Sequence, residues 1–494
     1  MPAGRHHSFS KLILPPPAGA SSPQTYPALF YTLFFSYSQT MELSKIFKAY
    51  DIRGIYPEEI DEVKVKRIAL AFARFTGAKT VAVGRDVRLS GPKLQKAVID
   101  GLVEAGVNVV DIGPVPTDML YFAVGFYHFD GGIQVSASHN PAEYNGLKMV
   151  CRGVEAISGD SGLKEILQLA ESADNLASPI KGTVESKEIE EDYFDFMTKF
   201  VHFDSASNLK IIANNNFGLS GPVASKFLDR LGSNHINLIE LNFQPDGRFP
   251  KGRPDPSRTE NRQETSDLVQ TTGADFGVAW DADGDRFFLT DEKGVFAEGC
   301  YLTALLAEYL LKESAGRRTG QGIIYDPRNI WAVESVIDAS GGVKLINQIG
   351  HSFIKNRMKK EDALFAGEMS GHYYFRDFYY ADNGLIPFLL ILNIIGNSKQ
   401  KVSDIVAPLR EQFPVSGEIN FEVSDKDKAI RRIEEKYHDG SVDRIDGLSI
   451  SFDNWRFNLR ASNTENLLRL NVEARSQDIC DEKTAEVSDV VKSA

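Results

Sequence analysis

The sequence predicts an α/β protein: three successive α/β domains with mixed, mostly parallel sheets, then a C-terminal α+β domain. Three observations predict it. A chain of 494 residues, 42% hydrophobic and 25% charged, is too long for one hydrophobic core, so three or four domains are expected. A strand, loop, helix, strand rhythm begins at Lys79 and twice restarts, which argues for helices layered on largely parallel sheets. In the last stretch, strands instead follow one another directly and a helix closes them, an α+β order.

In chain order, "KTVAVGRD" is a short β-branched strand. The helix "SGPKLQKAVIDGLVEAG" follows, with Ser90 as its expected N-cap, Pro92 in the first turn and Gly106 as its stop. "VNVVDIG" is the next strand, "PTDMLYFAVGFY" the next helix and "GGIQVSAS" the next strand. The rhythm restarts with "NLKIIANN", "GPVASKFLDRLG", "INLIELN", a charged helix ending near Thr272, and "ADFGVAWDADGDR". After Gly299 come the helix "YLTALLAEYLL", the strand "GIIYDPRN", the helix "WAVESVIDASGG", then "VKLINQIG" and "LFAGEMSGHYYF". "GLIPFLLILNIIGN" reads as a core helix interrupted by Pro387. "GLSISFD", "WRFNLRAS" and "LLRLNVEAR" are successive strands before a final helix near Glu482 to Lys492. The restarts divide the chain into 41–187, 188–296, 297–411 and 412–494.

Residues 1–40 stand apart. They contain no Asp or Glu, a Pro-rich patch and the apolar run "ALFYTLFFSY" from Ala28, shorter than the roughly 20 residues a bilayer requires. Three readings compete: residues added by an upstream start ahead of Met41, an acid-poor organelle transit peptide, or a membrane-associated leader. None enters the fold argument.

A net charge of −13 with no Lys/Arg run longer than two argues against a nucleic-acid surface and leaves anion binding to a local pocket. Cys151, Cys300 and Cys480 are too far apart for redox or zinc motifs and suit a reducing compartment. A cytoplasmic protein without membrane or nucleic-acid partners is therefore expected, with organelle targeting by residues 1–40 left open; a monomer or homodimer is expected.

The chemistry concentrates in short loops. In "DADGDR", Asp281, Asp283 and Asp285 alternate at the end of an apolar strand, an oxygen-only set suited to Mg²⁺ or Ca²⁺. A calcium hand fails because Arg286 occupies the sixth position, where its turn needs Gly. A solvated acidic turn is disfavoured because three acids beside an apolar strand repel one another unless a cation joins them. Mg²⁺ keeps coordination positions for substrate oxygens, so a phosphoryl group is its natural partner. "SASHNP" offers Ser136 and Ser138 as hydroxyls at a strand end, although, taken alone, a Ser or Asx turn with His139 in a polar contact accounts better for the dipeptide.

Four loops, "VSASHNP", "DADGDR", "GEMSGH" and "RASNTE", one per expected domain and in this order, together resemble the α-D-phosphohexomutases, in the phosphoglucomutase/phosphomannomutase branch. The resemblance runs from about Ile46 to the C-terminus and includes "YDIRG". It implies four domains around a central cleft and gives each loop a role. Ser138 resembles the serine phosphorylated in the resting enzyme, with Asp281, Asp283 and Asp285 as metal ligands alongside its phosphate and Arg286 nearby. Glu368 and Ser370 resemble contacts to adjacent sugar hydroxyls; Arg460, Ser462, Asn463 and Thr464 resemble a phosphate clamp. Arg53, Lys148, His351 and His372 fall at positions similar to the family's charged cleft residues, and Arg328 at a basic substrate contact. Two positions depart from the pattern: Asn466 stands where proline is usual, and Ala282 where glycine is common.

The resemblance implies a Mg²⁺-dependent mutase interconverting hexose 1-phosphate and hexose 6-phosphate, of mannose, glucose or both, through a 1,6-bisphosphate. A phosphoglucosamine mutase, a sugar phosphatase using the same serine and metal, and a noncatalytic sugar-phosphate binding protein are the alternatives.

Overall fold

The structure is a computed structural model and describes residues 42–159, 161–203, 208–314, 320–461 and 467–493. The leader readings of residues 1–40, and the expectations on Ser462, Asn463, Thr464 and Asn466, lie outside the described residues.

The expected fold class is present. The first sheet orders its strands Ile52–Ile55, Tyr144–Cys151, Gly131–Val135, Thr80–Arg85, Asn108–Pro114 and Val184–Ser186, with Glu155–Ala156 attached to Tyr144–Cys151. Thr80–Arg85 pairs in parallel with both neighbours, and Gly131–Val135 turns antiparallel to Tyr144–Cys151. The second sheet runs Phe296–Ala297, Phe287–Asp291, Phe276–Trp280, Leu209–Asn214, Ile236–Leu241; the third runs Val343–Ile346, Gly322–Tyr325, Phe365–Gly367, Tyr373–Phe375, Ala381–Asp382.

These three sheets share one local design. In each, a strand with a parallel neighbour on one side pairs antiparallel with the next strand in the chain: Gly131–Val135 in the first sheet, Phe276–Trp280 in the second, Phe365–Gly367 in the third. The loop after that strand is "SASHNP", "DADGDR" or "GEMSGH" respectively. All five residues of Gly131–Val135 and of Phe276–Trp280 are buried, as strands covered on both faces must be. Their polar loops therefore emerge abruptly from the core.

The fourth sheet, Ile419–Glu422, Leu467–Ala474, Trp455–Ala461, Leu448–Ser451, Ser441–Asp443, is antiparallel throughout and is accompanied by the helices Lys426–Lys436 and Gln477–Lys492. Its core, including Phe421, Ile433, Phe457, Leu470 and Val487, is a cluster of its own. One larger cluster joins the first three domains, running from Val110 and Phe122 through Trp280 to Phe388. The helix Thr117–Phe126 lies at its centre, buried from Thr117 to Gly125.

Local expectations differ in places. Ser90 stands before the helix Gly91–Glu104 but does not cap it; its Oγ accepts a hydrogen bond from Asn145 Nδ2 at 2.8 Å. The last helix begins earlier than expected, at Gln477, where Ser476 accepts from the Ile479 amide. The helix Val402–Gln412 contains Pro408, which hid it from a reading that treats proline as a breaker. Among the described residues no helix is long and apolar enough to cross a membrane.

Candidate active site

The serine loop follows Gly131–Val135 and turns on Ser138, whose φ of 50° is left-handed, a conformation uncommon for a residue with a side chain. Ser136 Oγ accepts from the Ser138 amide at 2.9 Å and donates to Asp283 Oδ2 at 2.9 Å. Ser138 Oγ is thereby aimed at the second domain, donating to Asp281 Oδ2 at 2.7 Å. His139 Nδ1 lies 3.2 Å from the same hydroxyl.

Asp281, Asp283 and Asp285 follow the strand Phe276–Trp280, are 0%, 0% and 2% exposed, and bring carboxylate oxygens within 4.8 Å of one another. Gly284, at φ 71°, provides the left-handed turn that returns Asp285 to the same side. Asp283 Oδ2 accepts from Thr117 Oγ1 and Lys148 Nζ, both at 2.7 Å. Lys148, on Tyr144–Cys151 opposite Gln134, also bonds Asp285 Oδ2. It is a buried residue, not a solvated strand end.

Electrostatically the cluster is short of positive charge. Burial and the charges of Asp283 and Asp285 push the Asp281 carboxyl up to about 8. Burial alone would lower the Lys148 ammonium, but Asp283 and Asp285 outweigh it and hold it well above its ordinary value. Among the described residues, Asp283 Oδ1 and Asp285 Oδ1 are buried without a hydrogen-bond partner. Three buried oxygen donors, two with orphaned oxygens and one ready to take a proton, fit a hard divalent cation.

The third domain meets this cluster through His372, whose Nε2 is 3.5 Å from Asp285 Oδ1 and whose Nδ1 is 3.3 Å from Glu368 Oε2. Burial and Arg286 oppose its charge, yet Asp285 and Glu368 raise it to about 9. Arg286 Nε lies 3.3 Å from His372 Nε2 and 3.8 Å from Asp281 Oδ2. Glu368 is 2% exposed and accepts from the Gly350 amide at 3.2 Å and Tyr374 OH at 2.6 Å. Burial would raise its pKa, but hydrogen bonds from His372 and Tyr374 hold it at about 2. Ser370 Oγ lies 3.0 Å from His372 Nδ1.

His351 opens the helix His351–Glu361, and among the described residues neither of its ring nitrogens has a hydrogen-bond partner. Burial and Lys355 lower it to about 3, so it is neutral. His139 is neutral too, through burial and the nearby Arg286, Arg53 and Arg253. Arg53 bonds Asn140 Oδ1 at 2.7 Å and Asp51 Oδ2 at 2.8 Å, beside the serine loop.

The fourth domain faces a second basic group. Arg328 pairs with Asp326 at 2.7 Å and approaches Glu418 at 3.5 Å. Arg460, on Trp455–Ala461, has a buried Nε with no hydrogen-bond partner among the described residues. Burial and the neighbouring Arg328 charge lower its pKa. An anion bound between the two guanidiniums would relieve their repulsion.

The structure thus unites Ser138, His139, Lys148, Arg53, the three aspartates, Arg286, His372, Glu368 and Ser370, and gathers Arg328 with Arg460. The sequence reading missed Thr117 and Arg88. Thr117 sits at the start of a helix after "PVP", and its amide also donates to the Asp283 carbonyl at 2.8 Å. Its position after a parallel strand was the available signal. Arg88 collects backbone carbonyls of the serine loop, a role that no motif announces.

Phosphoryl transfer assisted by a divalent cation is the chemistry for which these parts are suited: a hydroxyl against carboxylates, with basic groups on the far side of the cleft.

The comparisons with known proteins say which such enzymes these are. Profiles of phosphoglucomutase/phosphomannomutase α/β/α domains I, II and III match residues 44–177, 191–294 and 298–413, and the C-terminal domain of that family matches 418–490. A phosphomannomutase of Salmonella montevideo is 42% identical over 455 residues, 90% of this chain and 99% of its own. A phosphomannomutase of Escherichia coli strain K12 is 43% identical over 436 residues, 87% of this chain and 94% of its own. The crystal structure of a phosphoglucomutase/phosphomannomutase family protein from Burkholderia thailandensis superposes with a TM-score of 0.78 at 33% identity, covering 91% of this chain and 97% of that one. The chain belongs to the phosphoglucomutase/phosphomannomutase family and is a phosphohexomutase, an isomerase of carbohydrate metabolism. The family is metal-dependent, and the acidic triad can bind a metal.

Proposed function

We propose that the protein interconverts hexose 1-phosphate and hexose 6-phosphate, of mannose, glucose or both, with phosphorylated Ser138 as the phosphoryl donor and acceptor. The observation that carries this is the left-handed Ser138 with its Oγ 2.7 Å from Asp281 Oδ2, at the edge of the carboxylate triad.

In the first transfer the P–Oγ bond to Ser138 breaks and a P–O bond to the free 6-hydroxyl of hexose 1-phosphate forms, giving a hexose 1,6-bisphosphate. The hydroxyl proton passes to a cleft base. His351 offers ring nitrogens without a partner among the described residues, but burial and Lys355 lower it to about 3, so it can keep the proton only when the bound phosphates offset those effects. The bisphosphate turns over; the bond from its 1-phosphoryl to sugar O1 breaks as the P–Oγ bond to Ser138 re-forms, and the base returns its proton to O1, leaving hexose 6-phosphate. Asp281, Asp283 and Asp285 would hold Mg²⁺, which neutralises charge on the transferring group when bound. Lys148, Arg53 and Arg286 stabilise the remaining negative charge.

Arg460 with Arg328, and with Ser462, Asn463 and Thr464, would clamp whichever phosphate is not reacting. Ser370 and the remaining lone pairs of Glu368 would meet adjacent ring hydroxyls in either orientation. A panel of mannose, glucose and glucosamine 1-phosphates, primed with a trace of glucose 1,6-bisphosphate, tests the reading. The expected product is the 6-phosphate of mannose, glucose or both, and Ser138→Ala should lower turnover by at least about 10⁴-fold while sugar-phosphate binding survives. Inorganic phosphate as the main product, or unchanged turnover in Ser138→Ala, would reject it.

A further inference from the structure

The serine loop is held by a residue from a different turn of the first domain. Arg88 is 0% exposed and follows the strand Thr80–Arg85. Its guanidinium donates to four main-chain carbonyls of a single loop: Nη2 to Ser138 O at 2.7 Å and Asn140 O at 2.6 Å, Nη1 to Pro141 O at 2.6 Å and Tyr144 O at 2.9 Å. Nε donates to Asp86 Oδ2 at 3.1 Å, while the Arg88 amide donates to Asp86 Oδ1 at 2.9 Å. All five N–H groups of an arginine fork therefore have acceptors, a geometry that an ammonium cannot reproduce.

The second domain closes over the same group. Phe249 lies with its ring centroid 5.0 Å from the guanidinium carbon, and Arg88 pairs with Gly247 in a short bridge. Arg253 Nε donates to His139 O at 3.1 Å, so the segment that covers Arg88 also touches the serine loop.

This bears on the strain at Ser138. A left-handed non-glycine residue is strained and persists only where its surroundings dictate it. The Ser138 carbonyl is fixed by Arg88 and the Ser138 amide by Ser136 Oγ, so both flanking peptide planes are pinned. We infer that Arg88 is the positioning residue that holds the Ser138 hydroxyl in its phosphoryl-transfer geometry, through the loop carbonyls and with the second domain as its lid. The side-chain hydrogen bonds of Arg88 go to the loop carbonyls and to Asp86, so its effect belongs to alignment and not to binding. The inference rests on the proposed role of Ser138.

Arg88→Lys keeps a charge and much of the stem but cannot span four carbonyls. It should reduce kcat by about 100-fold with KM within twofold, as expected when a reacting group is misplaced by about 1 Å. Added guanidinium should recover part of the loss, and amide hydrogen exchange across residues 136–144 should quicken about tenfold or more. Asp86→Asn, which keeps the guanidinium but weakens its anchor, should show the same pattern at about one tenth of the effect.

A kcat within threefold of wild type, a loss confined to KM, or unchanged exchange in 136–144 overturns the inference. Failure of both variants to fold also overturns it, because Arg88 would then be a residue of the fold and not of the loop. Exchange does not depend on what Ser138 does. Absence of phosphate on Ser138 in the wild-type enzyme would therefore overturn the phosphoserine reading separately, whatever the variants show.

Discussion

Asp118 illustrates how a single buried carboxyl adjusts to the cleft. It lies in the first turn of the fully buried helix Thr117–Phe126, 3% exposed, and accepts from Tyr193 OH at 2.9 Å. Its other oxygen has no partner among the described residues. Burial raises it to about 7 against the Tyr193 hydrogen bond, from an ordinary 3.8. The folded-state pKa lies above the unfolded one, so its contribution to stability is complete below pH 3.8 and is lost as the pH rises through about 7. A shift of that size corresponds to about 4 kcal/mol at alkaline pH. Asp118→Asn keeps an acceptor for Tyr193 without the charge. Thermal denaturation should find it more stable than wild type at pH 8 and indistinguishable near pH 4; equal melting temperatures at pH 8 would contradict this.

At the scale of elements, the three α/β domains place their working loops at one topological position, the junction where parallel pairing gives way to an antiparallel hairpin. Ligands commonly collect outside strand ends at such switch points, because backbone groups there are not consumed by the sheet. The metal loop depends on Gly284 for its return. A Cβ there would lie 1.7 Å from Ser220 Oγ, on a backbone at φ 71°. Gly284→Ala should weaken divalent-cation binding about tenfold or more by calorimetry, since about 1–3 kcal/mol of strain falls on the three carboxylates. Unchanged affinity would mean that the loop does not set the triad.

Much of this level was legible in the sequence. The four loops announced themselves because an apolar strand ending in dense polar residues is unusual, and because their order matched a family. Ser138 meets Asp281 across 143 residues of chain as the motif order implied. What escaped were residues defined by distant partners. Arg88 works by collecting carbonyls 50 to 56 residues away, and carbonyls carry no sequence signal. Ser90 looked like a cap from its neighbours alone, but Asn145, brought in by another strand, takes its hydroxyl. Its motif places Lys148 among the charged cleft residues, but nothing local shows that its partners are Asp283 and Asp285.

For the whole molecule, the separate core of the C-terminal domain is the feature that bears on turnover. The first three domains share one cluster, whereas the fourth has its own and reaches the third from a buried ion pair within its sheet, Arg456 with Glu473 at 2.7 Å. Arg456 reaches the carbonyls of Pro327 and Arg328, and Glu473 accepts from the amides of Ile330 and Trp331 at the start of the helix Trp331–Ala339. The domain that carries Arg460 is thus pinned beside Arg328. Such an attachment suits a unit that turns about a fixed point, as the phosphate clamp proposed above for Arg460 requires.

The most direct measurement is to follow phosphate on the intact enzyme. After incubation with hexose 1,6-bisphosphate and removal of the sugar, peptide mapping should find one phosphate, on Ser138, and added hexose 1-phosphate should take it up as bisphosphate with little inorganic phosphate released. Phosphate on another residue, or its loss mainly to water, would contradict the account.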